Sequence, residues 1–273
     1  MTERDEALSE LRAGGILNAL RWIQESAHAR ATQDFDPATG HDQAVLGFNA
    51  FKLMCDRHDR VFSCQRFALG SPSPEAGEGF DVLVEGLTQS DIDTMPSIAP
   101  GSVVRSNLSQ SPGWRFGRWR WLLASFEFGE IDRIPWPRKS PTKRKVAAQP
   151  HPDQFMLLGV DGTSISDAFA TIGDLAGDEV EDDAITLVLA HSLDRHTGLS
   201  ELYVGRSALN PGGALAWHWK EPLIGGPGGT PGTGLKPGPR QPIAPQTNNV
   251  PDAPVRLRSK SAEGPRDQAA SGA

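Results

Sequence analysis

Residues 118–128, RWRWLLASFEF, constrain the fold more than any other stretch, because they leave almost no polar face in either regular conformation. In a strand, Trp119, Trp121 and Leu123 would share one side while Leu122, Ala124, Phe126 and Phe128 filled the other, so both sides would be apolar. In a helix, Trp119, Leu122, Leu123 and Phe126 would stack along one side with Trp121, Ala124 and Phe128 beside them, leaving Arg118, Arg120 and Glu127 elsewhere. Gly129 then stands where a helix C-terminal cap belongs. The helix separates charge from apolar surface slightly better and is the expected form. Under either form the segment lies inside, and a chain of 273 residues is long enough to enclose it.

The flanking sequence supplies candidate elements for that enclosure. In TERDEALSELRAGGILNALRWIQESAHARA, Thr2 is a candidate N-cap, and Leu8, Leu11, Ile16, Leu20 and Ile23 recur at helical spacing around a break at Gly14 and Gly15. A further helix is expected in HDQAVLGFNAFKLMCDRHDRVF, its apolar period carried by Val45, Phe48, Phe51, Leu53, Cys55 and Val61. SVVRSNL has the β-branched content of a strand, and SDIDTMP reads as a capped turn. After residue 150, FMLLGV, AITLVLAHS, LSELYVGRS and LAWHWKEPL are strand-like runs, with DRHTG as a hairpin loop and SISDAFATIGDL as a short helix.

The expected organisation is α+β: a mainly helical N-terminal part over residues 1–137 that ends in the Trp-rich segment, a basic Pro-rich connector over 138–153, a small antiparallel β part over 154–224, and a tail over 225–273. The connector sequence IPWPRKSPTKRKVAAQPHPD, with five prolines, suits an extended chain better than a packed element. The tail has almost no aromatic or periodic apolar content, so burial there cannot offset the entropy lost on ordering, and disorder is expected.

A charged opening without the apolar run of a signal peptide, and no stretch long enough to cross a bilayer, favour a soluble cytoplasmic protein with no membrane partner. Two cysteines cannot form a disulfide framework and are expected as free thiols. Arginine outnumbers lysine 20 to 7, the bias of a high-GC bacterial gene.

Most motif-like runs fail on spacing. In GGTPGTGLK the glycines Gly229, Gly232 and Gly234 precede Lys236, but a phosphate loop needs the lysine directly after the last glycine and a helix after it; Leu235 intervenes and Pro237 follows. FMLLGVDGTS resembles the first motif of haloacid-dehalogenase-like phosphatases at Asp161, Gly162 and Thr163, but Gly159 occupies the position of the nucleophilic carboxylate. Ser192 lacks the glycines of a nucleophile elbow. Two clusters retain ligand-type side chains. His41, Cys55, His58 and Cys64 are a candidate zinc set, with Cys55 and His58 at i and i+3. His191, Asp194, His196 and His218 are a candidate set for acid–base or metal chemistry. No cofactor is expected beyond zinc as a candidate.

Charge is the most specific feature. Between Trp114 and Lys145 nine basic residues face three acidic ones, a net of +6, which leaves −13 for the rest of a chain whose net charge is −7. Residues 174–183, DLAGDEVEDD, hold six of those negative charges. Trp136, Arg138, Lys139, Lys143, Arg144 and Lys145 are therefore the candidate contact residues for a protein or nucleic-acid partner. The expected function is non-enzymatic interaction through this connector, with a metal-dependent hydrolase built on either cluster as the alternative.

Overall fold

The computed structural model describes residues 2–68, 80–151 and 184–225. The runs FMLLGVDGTS and SISDAFATIGDL, the acidic run 174–183, and the tail beyond Gly225 with its Gly/Lys motif lie outside the described residues. Among the described residues, six α-helices and six strands follow in the order α1 (Glu3–Ala13), α2 (Ile16–Gln33), α3 (Gln43–Val61), α4 (Phe80–Val84), α5 (Gln89–Thr94), β1 (Val103–Arg105), β2 (Gly113–Phe116), β3 (Trp119–Ser125), α6 (Pro141–Ala147), β4 (Ile185–Leu193), β5 (Ser200–Ser207) and β6 (Trp217–Ile224). The architecture is α+β, with the long helices N-terminal and one mixed sheet in the order β1-β2-β3-β4-β5-β6.

Local chemistry sets the helix ends. Thr2 and Asp5 form a reciprocal capping box on α1, satisfying backbone donors that have no intrahelical partner. Gly15 adopts φ 73°, the left-handed conformation that turns the chain from α1 into α2 and that other residues reach only under strain. Asp42 caps α3 by accepting from the Val45 amide. The buried stripe of α3 is Leu46, Ala50, Met54, His58 and Val61, not the expected Val45, Phe48 and Phe51; Phe48 is 60% exposed. Buried Arg57, His58 and Arg60 break the apolar period and shift its apparent phase.

The Trp-rich segment is a strand. β3 pairs antiparallel with β2 and parallel with β4, placing it at the sheet centre. Trp119, Trp121 and Leu123 pack under α1–α3, while Leu122 and Ala124 pack under a second layer, so both faces of the strand are interior. A strand covered on both sides loses the alternation that marks a half-exposed one, and the helical expectation fails for that reason. Its charges sit at specific partners: Arg118 donates to Glu6 and Glu10 of α1, Trp119 Nε1 donates to Glu10 at 2.7 Å, and Arg120 donates to Ser106.

The second layer is built from the basic segment itself. Ile131, Ile134, Trp136, Val146 and Ala147 cover Leu122, Ala124, Val188, Ala190 and Tyr203. Residues 136–138 form a 3-10 turn, and Ser140 caps α6 with Pro141 in its first turn, so the segment is folded against the sheet instead of extended. Pro137 and Pro141 sit in first helical turns, where the missing amide costs no hydrogen bond, so they do not prevent packing.

Candidate functional site

β3 stops at Ser125, opposite His191, while β4 runs on to Leu193. The shorter strand leaves a notch at the carboxyl ends of the parallel pair. A cleft of about 920 Å³ occupies it. One wall is the Gln43, Ala44, Gly47, Phe48 and Phe51 face of α3; the others are residues 125–128, Lys143 of α6, and the turn from Leu193 to His196.

Sequence reasoning singled out Lys143, Asp194 and His196, and the fold gathers these three in the cleft. Asp194 is committed to its own turn: it accepts from the amides of His196 and Thr197 and from the Thr197 hydroxyl at 2.6 Å. Those bonds hold its carboxyl below the usual aspartate range, the Thr197 hydroxyl contributing most. His196 is exposed and accepts from Arg195. Lys143 is half-buried, and burial together with neighbouring Lys139 pushes its ammonium below the ordinary lysine value. Lys139 donates from Nζ to the Ser125 carbonyl at 2.7 Å and is likewise lowered by burial.

The other members of the two clusters go elsewhere. His191 is buried on the helix side of β4, its ring 5.6 Å from that of His28. His218 sits on β6 with β5 between, its ring 4.6 Å from His151. Of the zinc set, His41 accepts from the Asp36 amide, and His58 donates from Nδ1 to the Met54 carbonyl at 2.7 Å and stacks on Trp114. Cys64 is buried and donates to the Phe62 and Val103 carbonyls. Burial pushes both thiols up to about 11, away from the thiolate that binds metal. Among the described residues no three His, Cys, Asp or Glu side chains stand close enough to hold a metal ion.

Trp136 is fully buried, with Nε1 donating to the Ala216 carbonyl at 2.6 Å and its ring edge-on to Trp217. It is a core residue and presents no ring to a partner. Arg138, Arg144 and Lys145 remain exposed on the outer side.

What sequence reasoning missed is His28, which joins His58 and His191 as a third interior imidazole. Burial lowers all three, His58 and His191 to about 3, so these imidazoles are neutral. His28 carried a usable signal, since on α2 it falls in helical phase with Leu17 and Leu20. Compared with protein-family models, curated proteins and solved structures, the chain matches none.

Proposed function

We propose that this chain is a non-enzymatic binding protein that docks an acidic protein surface on the outer basic face of residues 138–145. The carrying observation is how α6 is mounted. Val146 and Ala147 fix its inner side to the sheet and Lys139 is tied to Ser125, leaving Arg138, Arg144 and Lys145 exposed on a rigid support. Among the described residues, exposed arginines such as Arg4, Arg118 and Arg133 have a carboxylate in range, whereas Arg138 and Arg144 have none. Clustered charge of one sign speeds and orients docking of the opposite sign.

A protein partner is favoured over nucleic acid by two facts. Trp136 is buried, so the segment lacks the aromatic platform on which unpaired bases stack. The whole chain carries −7, which opposes approach to a polyanion.

The test is a triple charge reversal, Arg138→Glu with Arg144→Glu and Lys145→Glu, compared with wild type by affinity capture and thermal unfolding. Loss of salt-sensitive protein partners at unchanged unfolding temperature is expected. An unchanged partner set overturns the reading, and so does tight, steeply salt-dependent binding to a single-stranded oligonucleotide, which transfers the face to nucleic acid.

A further inference from the structure

The basic segment has an inner side as well, and its chemistry differs from that of the outer face. Lys139 and Lys143 converge on the end of β3, the first bonded to the Ser125 carbonyl and the second lining the cleft that Ser125 borders. Both are half-buried, and among the described residues neither has a carboxylate within ion-pair range. Two partly buried ammonium groups beside one another raise the electrostatic cost of the fold, and an anion that joins them lowers it.

The carboxylates nearest in the wall do not supply that anion. Asp194 spends both oxygens on its own turn, and Glu127 is exposed on the strand continuation. The remaining lining combines aromatic and apolar side chains with polar Gln43, Ser125, Arg195 and His196. Phe48 is 60% and Phe128 37% exposed, unusual for rings of that size, with Phe51, Phe126 and Leu193 deeper. A second, smaller pocket shares Phe126 and Glu127 and is lined by Lys139. Concave, aromatic-lined space with a few converging polar groups is the usual form of a small-molecule site, and about 920 Å³ falls within the usual range of up to ~1,000 Å³.

We propose that this cleft binds one molecule of an amphipathic organic anion, with its carboxylate or phosphate head at Lys143, backed by Lys139, and its apolar body against Phe48, Phe51, Phe126 and Phe128. The head is recognised as a charge more than as a shape, since ammonium groups are point charges without the fork of a guanidinium. Binding here is separate from docking on Arg138, Arg144 and Lys145, none of which lines the cleft.

Gly47 supplies a variant that keeps the fold. It lies on the cleft wall in α3, and a Cβ built there meets nothing within 4 Å. Gly47→Leu therefore fills the cleft while improving helix propensity by roughly 1 kcal/mol. Calorimetric titrations of wild type, Gly47→Leu and Lys143→Met with decanoate, decyl phosphate, decanol and decyltrimethylammonium, each below its micelle concentration, read the site directly.

Wild type is expected to bind decanoate or decyl phosphate with one-to-one stoichiometry, the tighter of the two naming the head group. Decanol is expected at least about tenfold weaker, as is either anion to Lys143→Met, the scale of one lost charged hydrogen bond. Gly47→Leu should lose binding with an unfolding temperature equal to or above that of wild type. No binding of either anion by wild type, equal binding of decanol or the cation, or undiminished binding by Gly47→Leu each overturns the proposal.

Discussion

Beneath the α1–α3 layer three imidazoles are sealed in neutral form, whereas beneath the α6 layer two ammonium groups stand at the rim of a cleft. Both layers cover the same strands, and both carry polar side chains inward. The difference lies in how completely each closes. Helices of 18 and 19 residues leave His28, His58 and His191 at 4% exposure or less, too dry for a charged ring. A seven-residue helix with short turns covers the other face, and its first turn, which carries Lys143, borders the cleft beyond Ser125, so solvent still reaches Lys139 and Lys143. Depth of cover, more than residue type, decides which groups shed their charge.

The largest expected effect breaks the closed layer. Trp119 is fully buried and donates to Glu10, so Trp119→Ala should lose about 3–5 kcal/mol in urea unfolding, from cavity and hydrogen bond together. A loss near zero would mean that the α1–α3 layer collapses into the space at little cost, and the contrast between the layers would fail.

Acid sharpens the same contrast. Unfolded imidazoles take up protons below about pH 6.5, while folded His58 and His191 resist until about 3. The unfolded state then binds more protons, so stability is full above pH 6.5 and falls as pH drops through that window, by about 1.4 kcal/mol per pH unit for each histidine. Urea midpoints from pH 7 to pH 4 measure the slope, and His191→Leu should make it shallower. A flat profile would mean that those rings are reached by water.

The smallest effect belongs to the open side. Lys143→Met removes a charge that burial penalises, and stability should stay level or rise by up to about 1 kcal/mol at pH 7. A loss well beyond that would mark Lys143 as part of the packing rather than of a site.

Much of the layout is legible in the sequence. The caps at Thr2, the break at Gly14 and Gly15, and the β4–β5 hairpin around Asp194–Gly198 follow from local chemistry that any short window contains. β3 was not legible as a strand, because Leu122 and Leu123 are both interior and only knowledge of two covering layers explains an apolar doublet there. The stripe of α3 was misplaced because Arg57, His58 and Arg60 are buried through partners remote in sequence, among them Ser26 for Arg57 and the Val82 and Leu83 carbonyls for Arg60.

The site was half legible. Lys143, Asp194 and His196 drew notice by type, yet nothing local joins α6 to the turn after β4; the parallel pairing of β3 with β4 does so. Phe48 was read as core for want of the same information. Trp136 drew notice beside basic residues, and its contacts with Ala216 and Trp217 lie far along the chain.

That parallel pairing has a further consequence for how the molecule assembles. On one side of it, β1 to β3 form a meander of neighbours; on the other, β4 to β6 form a second. Each meander closes through short connections, but Trp119 meets Ile185 and Ser125 meets His191 only after a long stretch of chain has been gathered in. Loop closure over such a span is slow compared with forming a hairpin, so this seam is where the folding barrier is expected to lie. The cleft is bounded by both meanders and exists only once the seam has closed.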